Sequence, residues 1–335
     1  MDSAARVFVA GHGGLAGSAI TRRLRAEGYT NLLLRTRQEL DLTDRDATRA
    51  FFDRERPEYV LLAAAKVGGV LANRDFPADF ITQNLDIQNN VLESALRVSV
   101  RRLLFLGSSC VYPRLAPQPL KEEYLLSGPL EFTNRSYAVA KIAGIEVCWA
   151  FNRQYGTKFL AAMPTNLYGP GDNYDLQTSH VLPALIRKTH EAMERGEKEV
   201  VVWGTGTPLR EFLFSDDMAD ACVYLMNLPE SQFEGLISIP ETPPVINIGS
   251  GHDVTVRELA TTVFSVLGFE GSVIFDSTKP DGTPRKLLDT TRLQMLGWRP
   301  RISLRQGIQL AWDDYRVQLQ QLQAQIEASR IVGNC

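Results

Sequence analysis

The sequence predicts an α/β fold, a doubly wound parallel sheet with a smaller α/β domain attached. Three observations carry this. Short apolar runs alternate with amphipathic stretches through the first half of the chain. A glycine-rich turn follows the first apolar run directly. After about Tyr168 the texture changes, and prolines and glycines cluster in YGPGDNYD, IPETPP and KPDGTP.

The elements follow in order. RVFVAG reads as a strand and LAGSAITRRLRAEG as a helix ending at Gly28. NLLLRT is a strand, DRDATRAFFDRERP a helix, YVLLAAA a strand and FITQNLDIQNNVLESALRVSV a long helix. Then come the strand RLLFLGS, the helix SYAVAKIAGIEVCWAFNRQYG and the strand KFLAAMPTN. Strands this apolar belong in a parallel sheet covered on both faces. Right-handed crossovers then give a Rossmann-type arrangement. The tail DDYRVQLQQLQAQIEASR reads as a polar, solvated helix, and no internal repeat or low-complexity tract is seen.

Bulk composition narrows the class. At 335 residues the chain has room for two domains. Its net charge of −3 gives no nucleic-acid surface. Cys110, Cys148, Cys222 and Cys335 form no CxxC pair, so no metal site and no disulfide framework is expected. MDSAARVFVAG runs straight into a strand, and the longest apolar runs, such as VLLAAA, are too short to span a bilayer. A cytoplasmic location with no membrane partner is the expectation.

AGHGGLAG places Gly11, Gly14 and Gly17 between the first strand and the first helix, with His12, Gly13, Leu15 and Ala16 completing the turn. Glycine permits a tight turn, and the helix N-terminus offers N–H donors to a pyrophosphate. Dinucleotide binding is expected here. Near the end of the second strand stand Arg35 and Arg37, where an acid would grip a ribose 2′-hydroxyl. Guanidinium groups suit a 2′-phosphate, which points to NADP(H). Asp41 and Leu42 follow as candidates for the adenine edge.

Tyr137 and Lys141 lie four apart on one helix, hence on one face. A cation near a phenol favours phenolate, so the expectation is a tyrosine pKa below its free value of about 10. Ser108, just past a strand, could bond the same substrate oxygen. Two residues on is Cys110, in GSSCVYP. By residue type alone it reads as a small buried hydrophobe before it reads as an acid or base.

The glycine turn, Ser108, Tyr137 and Lys141, in that order, resemble the extended short-chain dehydrogenase/reductase superfamily. AAAKVGGVLAN, GSSCVYP, PTNLYGPGDN, SHVLPALIRK, VVWGTGTPLREFL and KPDGTPRKLLD narrow the resemblance to nucleotide-sugar epimerase-reductases, over roughly residues 5 to 315. It implies conversion of GDP-4-keto-6-deoxy-D-mannose to GDP-L-fucose by epimerisation at C3 and C5 and NADPH reduction at C4. It implies that Ser108, Tyr137 and Lys141 form the reductase triad and that Cys110 and His180 are the epimerisation acid/base pair. It also implies that Lys188, Trp203, Arg210 and Asp281 hold the GDP-sugar; Arg187 is a further diphosphate candidate. Leu106, Gly107, Pro164, Asn166, Leu167 and His180 join the turn, Arg37, Asp41, Leu42 and Lys141 around the cofactor. The expected division is an NADP-binding domain of residues 1–175 and 209–250, and a substrate-binding domain of residues 176–208 and 251–325. Cys148, Cys222 and Cys335 keep packing roles.

Two departures stand out. Gly13 occupies a place where some relatives carry a basic residue, which leaves Arg37 more of the 2′-phosphate. Phe214 stands where relatives often have histidine or tyrosine, and packing is expected of it. A related 4-epimerase or dehydratase is the alternative, but a dehydratase would want Thr-Asp or Thr-Glu where this chain has Ser109-Cys110. A non-catalytic redox-sensing binder is a further alternative, but such a protein would usually lack the Tyr-Lys pair. The resemblance also implies a homodimer. Its interface would use Val139, Ile142 and Trp149 of the Tyr137 helix with Ile81, Leu85, Val91 and Leu92 of the preceding one.

Overall fold

The computed structural model describes residues 1–239, 241–279 and 281–332, with the backbone alone at Val70 and residues 326–332. Cys335 lies outside the described residues. In chain order the first half is β1 (Val7–Ala10), α1 (Leu15–Ala26), β2 (Leu32–Leu33), α2 (Arg45–Glu55), β3 (Tyr59–Leu62), α3 (Val70–Asp75), α4 (Pro77–Arg97), β4 (Arg102–Leu106), α5 (Arg135–Tyr155) and β5 (Phe159–Pro164). The second half is β6 (Asn166–Tyr168), α6 (Val181–Arg195), β7 (Glu199–Trp203), β8 (Leu209–Phe214), α7 (Ser215–Met226), α8 (Glu230–Ile237), β9 (Val245–Ile248), β10 (Asp253–Thr255), α9 (Val256–Leu267), β11 (Ser272–Asp276), β12 (Arg285–Lys286), α10 (Thr291–Met295) and α11 (Leu304–Val332).

Six strands pair in parallel in the order β2-β1-β3-β4-β5-β9. The period of two within each strand divides the core between the two faces. Val7, Val9, Leu104 and Leu106 enter one cluster with α1 and α7. Phe8, Ala10, Leu103 and Phe105 enter the other with α2, α4 and α5. The chain runs outward from β1 to β2 and then returns past β1 to β3, so the strand order reverses between β1 and β3. A crevice opens at the carboxyl ends of strands at such a reversal.

The expected second strand is shorter in the structure than NLLLRT, with only Leu32 and Leu33 paired. It is an edge strand with a neighbour on one side alone. Helix α3 was absent from the sequence reading; at six residues it is too short to show a period. Beyond β5 the chain builds a smaller sheet of β10-β8-β12 with β6 beside β8, and a separate parallel pair β7–β11. Their core gathers Tyr168, Leu185, Ile186, Phe212, Phe214, Leu259 and Ile308. Phe214 is packed there, its ring 5.7 Å from that of Tyr168.

The apolar stripe expected for a dimer is divided. Val91, Leu92 and Ile142 belong to the protein's own core, because α4 and α5 pack on each other and on the sheet. Val139 is exposed, and Ile81, Leu85 and Trp149 are half-buried. Among the described residues no helix is long and apolar enough to cross a membrane.

Candidate active site

The glycine turn is a backbone cradle. Gly11 has φ +84°, and a Cβ there would meet the Ala64 backbone, after β3, at 2.7 Å. A Cβ at Gly17 would lie 2.0 Å from the Gly11 carbonyl oxygen. Both positions therefore demand glycine, whereas a side chain at Gly13 would enter open space. Gly14 caps α1 without a side-chain bond, and no acid stands in the first turn, where Leu15 and Ala16 begin the helix. The helix N-terminus thus keeps donors for an anion. His12 Nδ1 is buried with no partner among the described residues. These features fit a dinucleotide pyrophosphate.

The two arginines differ. Arg35 pairs with Glu55 at 3.1 Å and sits over the Phe51 ring, so it is committed to structure. The Arg37 side chain is 74% exposed and pairs with Asp41 at 3.4 Å. Asp41 is fixed by the Thr43 backbone N–H and hydroxyl, which hold its carboxyl below the usual range, and Leu42 is buried. Glu39, between Arg37 and Asp41, lies within electrostatic reach of His12, so this segment runs beside the glycine turn.

Around Lys141 the wall is dry. Lys141 is buried, and its ammonium donates to the Leu106 carbonyl at 2.8 Å from below the Phe105 ring. Burial lowers its pKa to about 7. Ser108 hydrogen-bonds the Tyr137 hydroxyl. The tyrosine does not show the lowered pKa expected from the sequence. Desolvation raises it, and the nearby Cys110 adds to the rise against the Ser108 bond. The Lys141 ammonium is itself desolvated and turned to the Leu106 carbonyl. The resting group is a phenol. Gly107 fits under Met163, Pro164 ends β5, and Asn166, beside Leu167 in β6, donates to the Glu211 carbonyl at 2.7 Å.

Cys110 lies on a short 3₁₀ turn after β4, half-buried. Its sulfur receives the Asn134 amide at 3.1 Å and the Lys286 ammonium at 3.4 Å. His180 caps the start of α6. The surrounding walls desolvate its ring and the Lys286 charge adds to this, so its pKa is lowered, although the residue stays open to solvent at the cleft mouth. Arg210 of β8 lies within electrostatic reach of Cys110 and Asp281, and burial lowers its pKa. Thiol, imidazole, phenol and two cations therefore converge.

Residues 7–249 match the NAD dependent epimerase/dehydratase family. The chain belongs to this family. It is 56% identical over 314 residues, 94% of each chain, to a protein named GDP-L-fucose synthase 1 from Arabidopsis thaliana. It is 54% identical to the GDP-L-fucose synthase of Escherichia coli (strain K12), over 90% of this chain and 94% of that one. A solved GDP-mannoheptose C4 reductase from Campylobacter jejuni, with NADP bound, superposes with a TM-score of 0.84 at 40% identity, covering 94% of this chain and 99% of that one.

In this epimerase/dehydratase-family chain the surroundings of Trp203 are polar and accessible. Trp203, 48% exposed, has the ammonium groups of Lys188 and Lys279 each 5.7 Å from its ring. Lys188 also donates to the Val201 carbonyl at 2.9 Å. Arg210 donates to the Asp281 carbonyl at 3.3 Å, and the Asp281 carboxylate receives the Thr205 N–H and hydroxyl at 2.7 and 2.8 Å. Arg187 faces elsewhere, bonded to Glu191 at 2.7 Å and to the Tyr174 carbonyl, so it is not at hand for a diphosphate.

Sequence reasoning missed Asn134 and Lys286. Asn134 had a signal: it stands three before Tyr137, where a helix puts neighbours on one face. Lys286 had none, because Arg285 and Lys286 can be told apart only by the register of β12 against β8.

Proposed function

We propose that this chain is an NADP(H)-dependent enzyme that converts GDP-4-keto-6-deoxy-D-mannose to GDP-L-fucose. It would epimerise C3 and C5 and then reduce C4. The observation that carries the reading is the convergence of the Tyr137–Lys141–Ser108 group with Cys110 and His180 in one cleft. The relatives of matching length and name support it.

The chemistry follows from the residues. A 4-keto group makes the hydrogens at C3 and C5 acidic, because the carbanion delocalises onto O4. Cys110 sulfur takes the proton, the C–H electron pair moves into the enolate, and Ser108 and Tyr137 bond its oxygen. His180 returns a proton to the opposite face of the same carbon. Once the thiol has released its proton to water and the imidazole has taken one back, the same step at the second carbon inverts both. Bound NADPH supplies the hydride for C4. Tyr137, a phenol at rest, gives its proton to O4 as the alcohol forms. Lys141 lies four residues away on the same helix face and steadies the phenolate left behind. Gly11 to Gly17 would cradle the pyrophosphate, and Arg37 would take the 2′-phosphate. Lys188, Arg210 and Trp203 would hold the diphosphate and base of the substrate.

Domain roles follow the division at 1–175 with 209–250 and 176–208 with 251–325, the first for NADP(H) and the second for the sugar nucleotide. A homodimer would use Ile81, Leu85, Val139 and Trp149, the accessible remainder of the stripe, and the setting would be cytoplasmic. Sedimentation showing only monomer at micromolar concentration would remove the dimer. For the activity, the enzyme is incubated with the keto sugar and NADPH and the product sugar is identified. A product with unchanged C3 and C5 overturns the epimerase assignment.

A further inference from the structure

Lys286 is absent from every residue role drawn so far. It is the second residue of β12, in register with Arg210 of β8, and its ammonium is 3.4 Å from the Cys110 sulfur. It also acts electrostatically on His180. One cation therefore faces both members of the acid/base pair.

Its mount is unusually firm. Tyr112, two residues past Cys110, donates to the Asn247 side-chain oxygen at 2.6 Å. The same Asn247 amide donates to the carbonyls of Leu120 and Asp289, at 2.9 and 3.1 Å. Its backbone N–H donates to the buried Glu122 carboxylate at 3.0 Å. Leu288 donates its N–H at 2.9 Å to Glu211, which is fully buried and also receives Gly251 N–H at 2.7 Å. Backbone bonds join Leu120 to Leu287 and Asp289 to Leu120. The segment that follows the Lys286 strand and the turn carrying Cys110 are thus both tied to Asn247, with Glu211 as a second tie. Buried, satisfied polar networks of this kind hold geometry tightly.

We propose that Lys286 is a positioning residue for proton transfer at C3 and C5, its ammonium setting the Cys110 sulfur as proton acceptor and making the protonated His180 ring a readier proton donor. This rests on the roles given above to Cys110 and His180. The groups facing Cys110 are Asn134, Tyr137 and Ser108, which are neutral, and Arg210 and Lys286, which are cations. Glu131, the acid lining the same small recess, is engaged by Arg114 at 3.2 Å. Lys286 is the cation within hydrogen-bond distance of the sulfur. A positive charge favours the thiolate and disfavours the imidazolium, so its removal moves both titrations upward in pH.

The test compares wild type, Lys286→Met and Lys286→Arg. Deuterium wash-in at C3 and C5 of the keto sugar is followed without NADPH across pH 5 to 10, and iodoacetamide labelling of the Cys110 peptide is followed by mass spectrometry over the same range. In Lys286→Met both limbs of the wash-in profile should move up by about one pH unit, and wash-in at neutral pH should fall roughly tenfold. The labelling midpoint should rise by a similar amount, and Lys286→Arg should restore both. A Met variant with a lower rate but unmoved pH profiles would make Lys286 merely structural and overturn the inference. So would a raised KM with unmoved profiles, which would make it a substrate contact. If wild type shows no wash-in, the roles of Cys110 and His180 fail instead, and the labelling profile still decides whether Lys286 governs the thiol.

Discussion

The two walls of the cleft are built on opposite plans. The wall along α5 is local and dry: Tyr137 and Lys141 come from consecutive turns of one helix, and the lysine is 3% exposed. The wall around Cys110 is assembled from residues 110, 134, 180, 210 and 286, partly open to solvent and held by contacts between distant segments. The first can perturb its groups strongly by burial. The second adjusts its groups through nearby charge while leaving a path for the exchange of protons with water. Reduction uses a phenol whose protonation burial fixes, and epimerisation requires groups that can reload protons.

Removing the phenol should give the largest effect and breaks the dry wall alone. Tyr137→Phe should lower C4 reduction by about 10²- to 10⁴-fold, the usual worth of a placed general acid. Wash-in of deuterium at C3 and C5 should fall much less, because the enolate oxygen keeps Ser108. Parallel assays of NADPH oxidation and sugar deuteration would show it. Equal losses in both would mean that the two walls are not separable.

The converse variant attacks the open wall. Cys110→Ser leaves the fold and cofactor turn untouched, since serine is nearly isosteric. A hydroxyl is a far poorer base than a thiol near neutrality, so wash-in at one or both carbons should drop by about 10²-fold. Residual reduction should then yield an unepimerised or half-epimerised 6-deoxyhexose. Wild-type exchange in this variant would reduce Cys110 to packing, and His180 would need another partner.

That asymmetry also explains what the sequence disclosed. Tyr137 and Lys141 are four apart, and the glycine turn lies between a strand and a helix, so a helical period and a strand end were enough to find them. Even there the electrostatics were misjudged, because the direction of the Tyr137 shift depends on how deeply both groups are buried. Lys286 and the Asn247–Glu211 support could not be read, since they depend on which strand of the smaller sheet pairs with which. Arg35 and Arg37 looked equivalent in the sequence; only packing against Glu55 and Phe51 distinguishes them.

The support itself can be loosened. Asn247→Ala would leave the Leu120 and Asp289 carbonyls and the Tyr112 hydroxyl without their buried partner. The expected cost is about 2–3 kcal/mol in chemical denaturation. The cleft comparison predicts more: wash-in should suffer beyond reduction, because the Cys110–Lys286 spacing depends on this side chain while Lys141 does not. Equal loss of the two activities would show that the network stabilises the whole chain without favouring one wall.

The smallest effect concerns the cofactor, which both the dry wall and the glycine turn serve. Arg37 is exposed and weakly paired, whereas Arg35 is occupied, and Gly13 leaves open space where a basic side chain could have shared the work. Arg37 is thus the guanidinium at hand for a 2′-phosphate. Arg37→Ala should weaken NADPH binding roughly tenfold and leave NADH binding nearly unchanged, since one charge-assisted contact is lost and only one of the cofactors makes it. Because the site is wet, the NADPH preference of the wild type should shrink as salt rises and the variant's should not. Titration of both cofactors by fluorescence at low and high ionic strength reads this directly. Equal losses for NADPH and NADH would show that Arg37 contacts a part the two share, and a full effect in Arg35→Ala instead would mean that Arg35 leaves Glu55 when the cofactor binds.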